Sequence, residues 1–398
     1  MLNVREDFPI LRNNYIYLDS ASTSLTPNCV IEAMLEYYNS FRSNIGRSIY
    51  KIANKALEAY EEARSNIAKL INAKPNEIIF VRNTTEAINI IANGLEFNKE
   101  NNIVTTILEH HSNYLPWIKR GIPVRIMMCN SEGEISDFSL IDKNTRIVAI
   151  THVSNVLGVK TPIKEIIKIA HENNAFVLVD GAQSVPHMKI DVKELDCDFM
   201  AFSGHKMCGP TGIGVLYIKE ELQDIIPPLI LGGGIIEDVD INSFILRKGP
   251  EKYEAGTPAI AEAIGLGEAA LYLMKIGMNN IEEHEKYLTR KLLEGLNEID
   301  DVIIYGPRDS NKRTGIVSFN IKGINPNDVA KKLDEIANIM VRSGFHCAIP
   351  LHKYVLKAYN GTVRASLYLY NNYEEIEIFI ETIKEIISKY KKLNKNKS

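Results

Sequence analysis

Two short segments of this chain hold residues whose types and spacing fit one kind of chemistry. The first is Asp180-Gly-Ala-Gln183 and the second, one apolar run later, is Ser203-Gly-His-Lys206. Lys206 offers an amine able to form a Schiff base with an aldehyde. Asp180 offers a carboxylate able to keep a pyridine nitrogen protonated, so that the ring acts as an electron sink. Those are the parts of a pyridoxal phosphate site. Each residue alone has a plainer reading, an Asp that caps the next helix and a lysine that faces solvent, because isolated short patterns match by chance. Their occurrence together favours the cofactor.

A phosphate needs a cradle, and Thr84 and Thr85 stand between the apolar run 78–81 and the helical pattern EAINIIANGL. That position puts hydroxyls and unpaired backbone N–H groups at a helix N-terminus, where an anion is stabilised. Ser203 and His205 are placed to close the other side. Read alone, the segment fits simple N-capping by Thr84 equally well.

The elements that position these groups follow from the hydrophobic pattern. Between residues 77 and 220 short apolar runs alternate with polar or helix-like stretches, as in βα units feeding a mostly parallel sheet. IIFV (78–81) leads to Asn83, Thr84 and Thr85; IVTTI (103–107) to Glu109, His110 and His111; RIVAIT (146–151) to His152 and Asn155. AFVLV (175–179) leads to Asp180, and DFMAF (198–202) to Ser203, His205 and Lys206. Ligands of open α/β sheets bind beyond the carboxyl ends of the strands, so these groups are expected to converge on one crevice. After about Thr257 longer helical patterns take over, and then a smaller α+β unit. Its expected strands are 302–306, 315–321 and 362–370, with helices near 326–338 and 373–391.

With 398 residues, 45% apolar and 24% charged, the chain reads as an ordinary two-domain globular protein. A net charge of -4 with interspersed lysines and arginines argues against nucleic acid as a partner. The five cysteines, Cys29, Cys129, Cys197, Cys208 and Cys347, lie far apart, with neither disulfide-framework nor metal-ligand spacing. No metal is expected. Neither a leader-like start nor a membrane-length apolar run stands out, so a cytoplasmic location is the expectation.

The segments NTTEAINIIAN, EHHSNYLPW, THVSNVLG, VLVDGAQSVPH, DCDFMAFSGHKMCGPTGIGVLYIK, YEAGTP, VRSGFHCAIPLH and VRASLYLYN resemble, in that order, the signatures of class V aminotransferase-fold enzymes. Most similar are the group II, SUF-type, cysteine desulfurases. The likeness runs from YLDSAS to the last strand. It implies the α/β, PLP-dependent transferase fold (fold type I), with a mostly parallel seven-stranded sheet in a large domain, 22–257. A smaller α+β C-terminal domain, 258–398, would follow, and segment 1–21 would pack with it.

The resemblance also implies roles. Lys206 would carry the cofactor, Asp180 would pair with its pyridine nitrogen, and His110 would stack on the ring. Gln183 and Asn155 would contact the ring oxygen, and Asn155 also the substrate. Thr84 or Thr85, Ser203 and His205 would hold the phosphate, with Thr257 reaching in from a second subunit of a homodimer. Arg364 would pair with the substrate carboxylate, a match for a guanidinium fork. Arg342 and Arg47 are further substrate-binding candidates, Arg47 across the interface, although Arg342 reads equally as an ion-pair member. Cys347 matches the sulfur-accepting cysteine. The implied reaction converts L-cysteine to L-alanine and passes a persulfide to an acceptor protein for iron–sulfur cluster or other thio-cofactor assembly.

Several positions depart from that pattern. Gly46 and Tyr50 stand where group II enzymes carry histidines, and Phe345 stands where they carry one more, which removes an imidazole beside the nucleophile. Arg342, Arg364 or His346 could favour a Cys347 thiolate. The competing readings are a selenocysteine lyase, another class V reaction such as a transaminase, kynureninase-like lyase or epimerase, and a non-catalytic sulfur carrier or scaffold. The first is not separable by sequence. The other class V reactions have no use for Cys347, and a scaffold has none for a complete electron sink.

Overall fold

The computed structural model describes residues 2–46 and 49–395. The chain begins with a short strand, β1 (Ile16–Tyr17), and the helices α1 (Asn28–Glu36) and α2 (Lys51–Ile71). There follow β2 (Ile78–Val81), α3 (Thr84–Gly94), β3 (Asn102–Thr106), α4 (Leu115–Lys119), β4 (Val124–Met127) and β5 (Thr145–Thr151). Then come α5 (Ile163–Glu172), β6 (Phe176–Asp180), α6 (Val192–Leu195), β7 (Phe199–Ser203) and β8 (Gly214–Ile218). Strands β2 to β8 form one seven-stranded sheet in the order β2-β8-β7-β6-β5-β3-β4. β8 runs antiparallel to both neighbours and the other pairs are parallel.

β2, β3, β7 and β8 are buried at every position, which is why the sequence shows continuous apolar runs there and no alternation. The covering helix α5 repeats Ile163, Ile166, Ile167 and Ala170 on its buried face, at the spacing a 3.6-residue turn demands. The loops after β2, β3, β5, β6 and β7 open on the carboxyl edge of the sheet. At Gly214 an added Cβ would stand 2.7 Å from the Phe202 carbonyl oxygen and 2.8 Å from Asn83 Cα. Its absence lets the turn carrying Thr84 close on the strand that ends at Ser203.

An antiparallel hairpin, β9 (Ile236–Asp240) and β10 (Ser243–Leu246), follows the sheet. The helix α7 (Ile260–Ile276) then packs along α1 and α2. This moves the boundary expected at Thr257. Ile260, Ala263, Leu266, Ala270 and Leu273 join the core of the large unit, and a Cβ on Gly267 would lie 2.5 Å from Ala63 Cα. Small residues at the crossing bring the two helices together, so α7 belongs with the large unit by packing.

The second core is built from α8 (Met278–Asn297), β11 (Val302–Tyr305), β12 (Ile316–Ile321), α9 (Pro326–Ala337), β13 (Ile339–Met340), β15 (Thr362–Ser366) and α11 (Tyr373–Lys395). β14 (Arg342–Gly344) pairs with β15 at the edge of its sheet, and α10 (Ile349–Leu351) buries Leu351 in the first core. Its antiparallel sheet has the order β11-β12-β15-β14. β15 stops at Ser366 although the pattern suggested a strand to 370. Tyr368 N–H donates to Asn371 Oδ1 and Asn371 N–H to the Tyr368 carbonyl, which turns the chain.

β1 pairs in parallel with β13, and Asp19 bridges to Ser366. Ile16 and Leu18 lie in the second core, while Phe8 and Leu11 lie in the first. The N-terminal segment therefore crosses between the units and carries Asp19 and Ser22 to the seam. No helix among the described residues is long and apolar enough to cross a membrane.

Candidate active site

A cavity of about 370 Å³ opens where the carboxyl edge of the large sheet meets β14, β15 and the loop that holds Cys347. The ends of β2, β3, β5, β6 and β7 deliver Thr84 and Thr85, His110, Asn155, Asp180 with Gln183, and Ser203 with His205 and Lys206 to its wall. The small unit adds Arg342, Cys347 and Arg364. Thr257 lies outside this cavity, exposed on its own chain. Arg47 falls outside the described residues.

Lys206 is half-buried, and among the described residues none bonds to its amine. Burial pushes its pKa down, Asp180 and a Cys347 thiolate pull it back up, and Arg364 adds to the depression. A lysine held this way gives up its proton more readily than one in water. Asp180, 3% exposed, accepts from Ala182 N–H at 3.0 Å. Burial raises its pKa, and the Ala182 N–H and the Lys206 charge oppose that. A cation facing the carboxylate is what would hold it ionised.

His110 is uncharged. Burial lowers its pKa to about 3, assisted by the Lys206 charge, and its Nδ1 accepts from Ser112 N–H at 3.1 Å, which leaves the ring proton on Nε2. The N-cap of α3 is Asn83, whose side chain accepts from Glu86 N–H at 3.0 Å, so neither threonine is used for capping. Thr84 Oγ1 lies 2.7 Å from Ser203 Oγ, and Thr84 N–H donates to the same oxygen at 2.9 Å. Thr85 Oγ1 pairs with Ser112 Oγ at 2.7 Å. Burial lowers the His205 pKa to about 4.

Arg364, 2% exposed, donates through Nη1 to the Asn155 carbonyl at 2.9 Å and through Nη2 to Ser22 Oγ at 2.6 Å. Its Nη2 also lies 3.4 Å from Asp19 Oδ1, and Arg342 reaches Asp19 Oδ2 at 3.6 Å. Burial brings the Arg364 pKa only to about 10, so it stays a cation at neutral pH. Asp19 thus holds both arginines at the mouth of the cavity.

The family model described as Aminotransferase class-V matches residues 16–379. A probable cysteine desulfurase from Pyrococcus abyssi is 47% identical over 394 residues, covering 97% of each chain. The chain belongs to the class V aminotransferases, in their cysteine desulfurase branch. The apo structure of a cysteine desulfurase from Thermococcus onnurineus NA1 superposes on this class V enzyme with a TM-score of 0.93 at 45% identity, over 97% of both chains. An S-sulfonic acid form of an Escherichia coli cysteine desulfurase gives 0.89 at 33% identity, over 96% of this chain and 97% of that one.

Membership brings pyridoxal phosphate as cofactor, and the cavity of this class V enzyme fits it. Lys206, in the turn after β7, is an amine without a hydrogen-bond partner among the described residues, Asp180 lines the same space, and hydroxyls crowd the N-terminus of α3. Three buried polar atoms of its lining residues, Gln183 Oε1, His346 Nδ1 and Arg364 Nε, have no hydrogen-bond partner among the described residues, as expected where a polar molecule completes the wall. The amide nitrogens expected to meet the ring oxygen are already engaged. Gln183 Nε2 donates to the Ala21 carbonyl and Asn155 Nδ2 to the His346 carbonyl, each at 2.7 Å.

One expectation about the cysteine is corrected. His346 does not supply positive charge to Cys347, because burial and the Arg364 charge lower its pKa to about 2 and its Nε2 lies 2.9 Å from Thr362 Oγ1. Phe345 packs edge-on against His352, with ring centroids 5.5 Å apart. Cys208 is buried with a raised pKa, and its N–H donates to Ser24 Oγ at 2.7 Å, which makes it a packing residue. Glu109, His111 and His152, expected among the groups that converge on the crevice, do not line the cavity, and Glu109 is buried behind His110. Sequence reasoning gave no role to Asp19, Ser22 or Ser112, the first two inside YLDSAS and the third two residues after His110.

Proposed function

We propose that this protein converts L-cysteine to L-alanine and leaves the sulfur as a persulfide on Cys347. The observation that carries the reading is the placement of Cys347. It is exposed at the rim of the cavity that also holds Lys206, Asp180 and Arg364.

When bound, pyridoxal phosphate supplies the electron sink that makes bonds at the substrate Cα and Cβ cleavable. Asp180 keeps the sink protonated, and uncharged His110 offers its ring face without repelling a cation. Thr84, Thr85, Ser203 and His205 supply donors for the phosphate, and Arg364 receives the substrate carboxylate. Lys206 would take the substrate Cα proton. The Cys347 thiolate attacks the substrate sulfur, so that an S–S bond forms and the Cβ–S bond breaks; Cβ then gains a proton and Lys206 returns one to Cα. The sum is L-cysteine plus the Cys347 thiol giving L-alanine plus the Cys347 persulfide.

The proposal extends to assembly and location. A homodimer is supported by exposed apolar side chains beyond what an isolated chain ordinarily shows. They include Leu229, Ile230 and Leu231, and Val239, Ile241, Phe244 and Ile245 at the hairpin. Thr257, exposed on its own chain, would then serve the partner's phosphate site, and Arg47 its substrate. An exposed persulfide suits hand-over to an acceptor protein for iron–sulfur cluster or other thio-cofactor assembly, and five unpaired cysteines suit a reducing cytoplasm.

The test compares wild type with Cys347→Ala, both loaded with pyridoxal phosphate and given L-cysteine with a reductant. Wild type should release alanine and sulfide in equal amounts. The variant should keep the cofactor absorbance and lose sulfide. An unimpaired variant would make Cys347 structural and return the chain to the other class V reactions.

A further inference from the structure

The loop that carries Cys347 is tied to the large unit as well as to its own, where His346 Nε2 lies 2.9 Å from Thr362 Oγ1. Gly344, His346 and Cys347 have φ values of +108°, +48° and +56°. Two successive residues with side chains thus occupy the left-handed region, which such residues avoid unless their surroundings impose it. Inside the loop, Ala348 N–H donates to the Phe345 carbonyl at 2.8 Å. The bonds that cross the seam are more telling. His111 N–H donates to the Cys347 carbonyl at 2.7 Å, and Ile349 N–H donates to His111 Nε2 at 3.2 Å. Asn155 Nδ2 adds a third, to the His346 carbonyl.

His111 therefore grips both sides of the cysteine, the carbonyl through its main chain and the first N–H of α10 through its ring. A ring nitrogen that accepts from an amide carries no proton, so the imidazole acts here as an acceptor. His111 does not line the cavity, although its neighbours His110 and Ser112 do. Its side chain is thus available to the loop and not to the cofactor.

We propose that His111 is a positioning residue for the sulfur transfer: its ring, by accepting from Ile349 N–H, latches the Cys347 loop to the large unit and keeps the thiol at the cavity rim. The inference rests on the reading of Cys347 as sulfur acceptor. Without the latch the left-handed stretch relaxes, and the thiol spends its time in solvent rather than against the substrate sulfur. The His111 main-chain bond survives any substitution, so the ring's share is separable.

The experiment uses pyridoxal phosphate-loaded wild type, His111→Ala and His111→Gln, the last of which offers an amide oxygen as acceptor in place of Nε2. Two readouts are taken: the rate at which iodoacetamide alkylates Cys347, followed by mass spectrometry, and the kcat and KM for alanine formation. In His111→Ala alkylation should rise and kcat fall, each about five- to tenfold, with KM and cofactor absorbance unchanged. His111→Gln should restore both rates most of the way. If the alanine variant leaves alkylation or kcat unchanged, or if the glutamine variant behaves like the alanine one, the latch is refuted. Should His111→Ala not fold, His111→Leu, bulky but without an acceptor, takes its place under the same criteria. Alkylation needs no turnover. A wild type that makes no alanine would therefore sink the desulfurase reading while the latch is still read out.

Discussion

Glu109 lies immediately behind His110, 2% exposed, and every hydrogen bond it makes is to a group that fixes the site. Its Oε1 accepts from Thr106 Oγ1 at 2.5 Å and from Thr151 N–H at 3.0 Å, and its Oε2 accepts from Asn113 Nδ2 at 2.6 Å. Asn113 Oδ1 in turn accepts from Trp117 Nε1 at 3.1 Å. The indole N–H can only donate, which fixes the Asn113 amide with its NH₂ toward Glu109. Residue 109 must therefore be an acceptor on both oxygens, which an ionised carboxylate satisfies. A protonated one also does, by donating its hydrogen to Thr106. Glutamine does not, because its NH₂ would face either the NH₂ of Asn113 or the N–H of Thr151, and a buried donor left unmatched costs ~1–3 kcal/mol.

The pH dependence sharpens the test. Burial raises the Glu109 pKa from 4.5 to about 8, against the pull of its three donors. Between those values the folded chain holds a proton that the unfolded chain has lost. Stability therefore falls as pH rises through the window, by up to roughly 4–5 kcal/mol, and levels off above the folded value. Against a total of about 5–15 kcal/mol for a folded protein, such a slope is readily measured. Glu109→Gln removes this titration and keeps the donor mismatch. The variant should thus be less stable than wild type by ~1–3 kcal/mol near pH 5.5, with the gap closing or reversing by pH 9. Trp117, the one tryptophan and a member of the network, reports urea unfolding by fluorescence, at fixed protein concentration without cofactor. A gap that stays constant or widens with pH would refute both the ionisation and the directional argument.

Two further substitutions address the cofactor and the substrate. Borohydride reduction of the loaded wild type should leave a pyridoxyl mass on the peptide containing Lys206, and Lys206→Ala should show none; the label on another lysine would displace Lys206 from its role. Arg364→Lys keeps a charge but loses the fork, so the KM for L-cysteine should rise about tenfold with the cofactor band unchanged, and an unaltered KM would confine Arg364 to tying Asn155, Ser22 and Asp19.

The elements legible in the sequence are those whose surroundings are uniform. A strand dry on both faces reads as an apolar run, and each of the five runs named at the sheet ends in the polar group that the fold delivers to the cavity. The β9–β10 hairpin left no such mark, because Val239, Phe244 and Ile245 are exposed and no core imposes a pattern on it. β15 was read too long because Leu367 to Tyr370 are as buried as the strand itself, and only the Asn371 turn tells them apart. Helix α7 looked like the start of a new unit because its composition changes there, yet close approach at Gly267 binds it to α2.

At the site the division falls along sequence distance. Lys206, Asp180 and His110 end strands and could be placed from their own segments. Asp19 could not, since its partners Arg342 and Arg364 lie more than three hundred residues away and are met only when β1 pairs with β13. Cys347 lies between these cases. Its segment marks it as the reactive thiol, but nothing in Arg342-Ser-Gly-Phe-His-Cys347 dictates left-handed backbone at both His346 and Cys347. His111 and Asn155 bond to that backbone from across the seam, and Thr362 pairs with the His346 ring from within the small unit. In the proposed role of sulfur acceptor, Cys347 would be positioned only when the two units are together, and the cavity would then be a condition for sulfur transfer as well as a container for it.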